Sequence, residues 1–361
     1  MGLPLKSRDA CQLDLVGLGE AMIRLSPAGH GRIEFASSLE IWVGGGEYNC
    51  AYALARLGLR AGWASRLVDN PLGAIVLNHA RAVGMDVSAV AVAPYDGVGR
   101  TDRIGLNFTE VGTAVRPSVT MYDRGHSAAS HLVPGMIDFD TLLARRGVRW
   151  LHTGGIFPAL SDGTAAVALE ALKKARNAAT VTSYDMNFRS TLWSLEKCRA
   201  VTETLMPHVD VVIGNEGHFQ GILGISVDGL AAGQTAEDPA LYQKLAEQVC
   251  TRYPGIKAIG TTRRTVKSGL VNDFSGLLYL DGRLYASRVY ENLEIEDPVG
   301  GGDGFSAGLI YGLLQGLPAQ ECVELAAAHG ALLHTTRGDT SQITLEELRH
   351  VAQGGSARIR R

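Results

Sequence analysis

Residues 297–308 read DPVGGGDGFSAG, and how this stretch is read decides the fold. The consecutive glycines Gly300, Gly301 and Gly302 carry no Cβ, so their N–H groups can turn into one concavity. Downstream, Phe305, Leu309 and Leu313 recur at i, i+4 and i+8, the spacing of one helix face. The glycines therefore precede a helix, at whose N-terminus unpaired amides and the helix dipole favour an anion. Asp303 follows at once. A carboxylate in an anion site repels phosphate unless it has another task, and taking a proton from an attacking hydroxyl is such a task. The same residues also suit a plain turn with Asp303 capping the helix. Two other glycine signatures fail. No G-x-x-x-x-G-K-[ST] occurs, and GLGE (17–20) is followed by Met22 where a dinucleotide loop needs its third glycine.

Outward from the glycines, apolar strands alternate with helical patterns. LDLVGLG (13–19), VRWLHTGG (148–155), TVTSYDMNF (180–188), DVVIGN (210–215) and IKAIGTT (256–262) read as strands. EYNCAYALARLGL (47–59) and DGTAAVALEALKKARNA (162–178) read as helices, the first stopped by Gly58. This rhythm predicts an α/β fold with a mostly parallel central sheet and helices on both faces. Residues 23–43 and 96–126 break it. They alternate apolar and polar positions, as antiparallel strands with one solvated or ligand-facing side do. They are expected to form one small β-sheet lid, leaving 12–22, 44–95 and 127–352 as the core.

The chain has 361 residues, 46% of them apolar, enough for a sizeable core. A net charge of −3 argues against nucleic acid and against an anionic membrane surface. No run of apolar residues is long enough to span a bilayer, and the opening MGLPLKSRDACQ lacks an apolar signal core. The five scattered cysteines fit reduced thiols, hence a cytoplasmic protein. The histidines show no zinc-type spacing.

Three further stretches carry candidate chemistry. GGGEYN (44–49) opens a helix; Gly45 and Gly46 let a ligand approach the backbone, and Asn49 offers an amide hand. In SVTMYDR (118–124), strand alternation puts Thr120, Tyr122 and Arg124 on one face, suited to hydroxyls and a carboxylate. In SYDMNFR (183–189), the same period aligns Asp185, Asn187 and Arg189 at the carboxyl end of a strand, where open parallel sheets bind ligands. The plain alternatives are a turn with an acid stabilising the helix dipole, a solvated strand face and a surface salt bridge.

Together and in this order, GGGEYNCAYALARLG (44–58), LVDNPLG (67–73) and DPVGGGD (297–303) resemble the ribokinase-like (PfkB) family of sugar kinases, over about residues 13–350. Within it, YDMNFRSTLW (184–193), VVIGNEGHF (211–219), MYDRGHSAAS (121–130) and GGGDGFSAGLIYGLL (300–314) are most similar to 2-keto-3-deoxygluconate kinases. The resemblance implies transfer of the ATP γ-phosphoryl to a sugar acid's terminal hydroxyl. Asp303 would be the general base, and the amides of Gly300, Gly301, Gly302 and Asp303 the anion hole. Gly45, Gly46 and Asn49 would touch the sugar acid, with Tyr122 and Arg124 reaching it from the lid. Arg189 would lie between substrate and nucleotide. Asn187, Asn215, Thr261 and Thr262 would lie near ATP, with Mg²⁺ on its phosphates, Glu216 as a candidate metal partner and a monovalent cation as a further candidate. The family also implies a homo-oligomer, a dimer through the lid. Three positions depart from its pattern: Pro298 for a common Thr, His218 for an acid that helps order Mg²⁺ water, and Asn107 for a substrate-facing Tyr. A neutral-sugar kinase of fructokinase type and a non-catalytic sugar-acid sensor are the competing readings.

Overall fold

A computed structural model describes residues 2–230 and 238–355. Its strands are β1 (Leu13–Leu18), β2 (Met22–Ser26), β3 (Glu40–Gly44), β4 (Ala61–Val68), β5 (Asp86–Ala93), β6 (Leu106–Glu110) and β7 (Val119–Asp123). They continue with β8 (Val148–Gly154), β9 (Val181–Asp185), β10 (Val211–Ile213), β11 (Ala258–Ser268), β12 (Val271–Leu280), β13 (Arg283–Ala286) and β14 (Tyr290–Glu294). The α-helices are α1 (Gly46–Arg56), α2 (Pro71–Ala82), α3 (Asp162–Asn177), α4 (Leu195–Leu205), α5 (Glu216–Leu223), α6 (Pro239–Arg252), α7 (Gly301–Leu314), α8 (Ala319–Leu333) and α9 (Leu345–Ala352).

The main sheet runs β13-β12-β11-β10-β9-β8-β1-β4-β5, with β14 also paired to β12. From β5 to β11 every pairing is parallel, and β12 to β14 add an antiparallel edge. The central strands are apolar on both faces because helices cover both. Trp150 of β8 packs into the layer with α1, α7 and α8, and Leu151 beside it packs into the layer with α3, α4 and α6. Helix α7 lies against the β11–β12 edge very closely. A Cβ on Gly276 would stand 2.2 Å from the Phe305 ring, so bare backbone is what lets the helix dock.

The second sheet is the lid, ordered β3-β2-β6-β7. Its outer pairings are antiparallel as expected, but β2 and β6 at its centre run parallel, because each inserted segment returns to the core before the other begins. The strands also start one residue earlier and end one later than the inserted segments suggested: Met22 begins β2 and Gly44 ends β3.

Candidate active site

A cleft of about 650 Å³ opens between the lid and the carboxyl ends of the parallel strands. This is where such sheets bind ligands, because loops diverge there. Its floor is the start of α7. Gly300 caps this helix with φ +88°, a conformation that favours glycine, and a Cβ there would also meet the Asp339 carbonyl at 2.8 Å. Gly301, Gly302 and Asp303 supply the first-turn amides, which have no acceptor within the helix. Gly302 is exposed to the cleft, and a side chain there would meet nothing.

Asp303 projects into this space. Its Oδ2 accepts a 2.7 Å hydrogen bond from Asn49 Nδ2, while Asn49 Oδ1 accepts from the Gly45 amide at 3.1 Å. Asn49 thus ties the GGG turn to the carboxylate and orients it. A Cβ on Gly46 would lie 3.7 Å from Asp303 Oδ1, so this glycine keeps the approach to the acid open. Burial pushes the Asp303 carboxyl up to about 7, with Asp185 raising it further and Asn49 and Arg189 opposing.

Two of the other cleft acids, Asp185 and Glu47, couple electrostatically with Asp303. Asp185, at the end of β9, is pushed to about 6 by burial, against the pull of Arg189. Glu47, in the first turn of α1, is buried and pushed to about 8, chiefly by desolvation and then by Asp303 and Asp185. Near neutral pH Glu47 holds its proton, which lowers the charge that the three acids would otherwise concentrate.

The lid supplies the opposite wall, with Asn107, Thr109, Thr120, Tyr122 and Arg124 facing the cleft as strand alternation requires. Val119 and Met121 point outward and are exposed. Arg124 is not free, however. It pairs with Glu20, which is 3% exposed, and it lies 5.5 Å over the Tyr122 ring. The Glu20 Oε1 and Arg124 Nε atoms are both buried without a hydrogen-bond partner. Tertiary structure alone reveals this acid, since GLGE reads as the end of a strand.

Not every expected residue comes as the sequence suggested. Asp185, Asn187 and Arg189 all line the cleft, but β9 ends at Asp185 and Asn187 has φ +26°, so a turn rather than strand alternation collects them. Arg189 is exposed and donates to the Phe188 carbonyl at 3.0 Å. Asn215, Glu216 and His218 line the cleft wall beyond the end of β10, with Asn215 capping α5 through the His218 amide at 3.0 Å. Burial and then Arg189 depress the His218 imidazole to about 4, so it is neutral. Thr262 faces the cleft, but Thr261 does not. It lines a small apolar cavity with Phe219, Tyr242 and Tyr279, because neighbouring residues of β11 point to opposite faces. Arg264 and His334, which no motif signalled, also line the cleft.

Among the described residues no cluster of three or more His, Cys, Asp or Glu side chains is spaced to hold a metal ion. The carboxylates of Asp185 and Glu216 on the cleft wall instead suit a hard cation that arrives with phosphate ligands of its own.

Residues 12–345 match the profile described as pfkB family carbohydrate kinase. The chain is 33% identical to a 2-dehydro-3-deoxygalactonokinase of Haloferax volcanii, over 96% of this chain and 99% of that one. It is 29% identical to a 2-dehydro-3-deoxygluconokinase of Bacillus subtilis, over 93% of this chain and 94% of that one. Among solved structures, the 2-dehydro-3-deoxygluconokinase of Thermotoga maritima superposes with a TM-score of 0.88 at 37% identity, covering 95% of this chain and all of that one (100%).

Proposed function

The chain belongs to the pfkB family of carbohydrate kinases, and from that premise we propose that it transfers the ATP γ-phosphoryl to the terminal hydroxyl of a sugar acid, 2-keto-3-deoxygluconate or a close relative. The observation that carries the reading is Asp303 itself: a carboxylate held by Asn49 at the N-terminus of α7, where free amides meet the cleft. Asp303 takes the proton as the hydroxyl attacks. The Gly301, Gly302 and Asp303 amides receive charge developing on the transferred group, and Arg189 stands over the same space. Mg²⁺, bound with the nucleotide and near Asp185 or Glu216, would neutralise part of the phosphate charge. Thr262 and Asn215 border the nucleotide side, and Gly45, Gly46, Asn49, Tyr122 and Arg124 the sugar side.

The acid preference is supported by two cleft arginines, Arg124 and Arg189, and by the names of the relatives. One observation favours a neutral sugar instead: Glu20 already neutralises Arg124. An assay of phosphorylated acceptor and nucleotide product decides between them, reading ADP where ATP is the donor and AMP where ADP is, run with both epimeric 2-keto-3-deoxy acids, aldonic acids and neutral hexoses in sodium or potassium salts. Turnover confined to neutral hexoses would overturn the sugar-acid reading. A rate that depends on potassium would add a monovalent cation to the requirements.

Two further readings belong to the same picture. The outward lid face carries a row of apolar side chains, Ile41, Leu25, Phe108 and Met121, in register across all four strands, which supports a dimer joined through the lid. All five cysteines are free thiols, and no described helix is long and apolar enough to cross a membrane, which supports a cytoplasmic location.

A further inference from the structure

We propose that Arg24 is a positioning residue for phosphoryl transfer, tying the seating of the lid to the geometry of the glycine loop through Asp297 and Asp339. The inference rests on reading that loop as the anion site.

Arg24 belongs to lid strand β2, yet it is only 1% exposed. Its Nη1 and Nη2 donate to Asp297 Oδ1 at 3.2 Å and Oδ2 at 2.7 Å. Nη1 also reaches Asp339 Oδ2 at 3.2 Å, and Nε donates to Ser26 Oγ at 3.0 Å. Both acids lie in the core, and Asp297 opens the glycine loop. Its Oδ1 accepts the Val299 amide at 3.1 Å, its Oδ2 accepts the Gly338 amide at 3.1 Å, and its carbonyl bonds His334 Nδ1 at 2.9 Å. One carboxylate thus holds both the approach to α7 and the turn that carries Asp339 to the cleft.

The other end of the connection is the lid's cleft face. Strand register aligns Trp42, Arg24, Asn107 and Tyr122 in one row across β3, β2, β6 and β7. Asn107 and Tyr122 line the cleft. The lid rests closely on the turn beneath: a Cβ on Gly338 would stand 2.5 Å from the Trp42 ring, and one on Gly44 would stand 2.5 Å from Asp339 Cβ. A shift of this row when the acceptor binds therefore moves the guanidinium, and Asp297 moves with it. The amides that follow must receive charge at a fixed place, so small displacements there act on the rate. The planar fork of arginine grips both oxygens of Asp297 while reaching Asp339, a bidentate geometry that a lysine ammonium does not reproduce.

A cluster that served stability alone would have the same contacts but different kinetics. The test compares full-length wild type with Arg24→Lys and Arg24→Ala. Glu40→Gln serves as a control, since Glu40 pairs with Arg337 at 2.9 Å in the same lid contact. Turnover and KM for each substrate are measured at a temperature where thermal unfolding shows each variant folded. Arg24→Lys is expected to keep nucleotide affinity while kcat falls roughly ten- to hundredfold, the scale of an ångström-level misplacement. Glu40→Gln is expected to leave kcat unchanged. Guanidinium ion at sub-denaturing concentration is expected to restore part of kcat to Arg24→Ala. An unchanged kcat in Arg24→Lys, or losses that only track the unfolded fraction in either variant, would overturn the inference while leaving the kinase assignment intact. A wild type that phosphorylates no acceptor would overturn both.

Discussion

Replacing Asp303 by Asn should make the protein more stable and nearly inactive, and the stability gain should appear only as the pH rises. The native carboxyl is pushed to about 7 from an ordinary 3.8, mainly by burial. Between those values the folded chain keeps a proton that the unfolded chain has released, so stability falls as pH increases through this window. The folded state then carries the strain at pH 8 and is free of it below about pH 4. At 1.36 kcal/mol per unit, a shift of about three units corresponds to about 4 kcal/mol. Asp303 is partly open to cleft water, so screening leaves roughly 1–2 kcal/mol. The Asn49 contact survives the change, because an Asn side-chain oxygen accepts the same bond. Thermal unfolding of both proteins at pH 5 and pH 8, paired with an ADP-release assay, measures both effects. The expected result is a higher midpoint for Asp303→Asn at pH 8, a smaller difference at pH 5, and turnover reduced by about 10²–10⁴ with ATP binding retained. Wild-type turnover in the variant would remove Asp303 from the chemistry. A stability difference equal at both pH values would refute the claim that its ionisation is what burial opposes.

The remaining predictions use the same assays. For the wild type, kcat/KM should rise with pH through about 7 as Asp303 loses its proton, and a profile flat from pH 5 to 8 would contradict this. Arg124→Ala should raise KM for the sugar acid by roughly ten- to hundredfold, equivalent to one charged hydrogen bond of about 1.5–3 kcal/mol, with less effect on a neutral sugar. Equal effects on both acceptors would favour the neutral-sugar reading. Thr262→Val should raise KM for ATP, whereas Thr261→Val, facing the cavity behind the sheet, should leave kinetics unchanged. The reverse pattern would refute the placement of the nucleotide.

Much of this molecule was legible in local pattern. The alternation of strand and helix, the glycines before an apolar helix face, and the single acid after them all depend on residues within a few positions of one another. Period and turn chemistry report such neighbours directly. The faces of β7 followed for the same reason: a strand puts every second side chain on one side, so Tyr122 and Arg124 belong together. That rule also separates Thr261 from Thr262, and it lapses beyond Asp185, where the chain leaves β9 and a turn brings Arg189 back to the cleft. What lay beyond local pattern were the contacts between distant segments: Glu20 with Arg124, Asn49 with Asp303, and Arg24 with Asp297 and Asp339. The burial that pushes Asp303, Asp185 and Glu47 out of the ordinary carboxylate range likewise exists only when three strand ends and two helices converge. The sequence by itself thus determined which element carries the proposed base and which end of it offers free amides to an anion. Tertiary structure decided the protonation of that base and the company it keeps, because desolvation and charge coupling depend on distance through space and not along the chain.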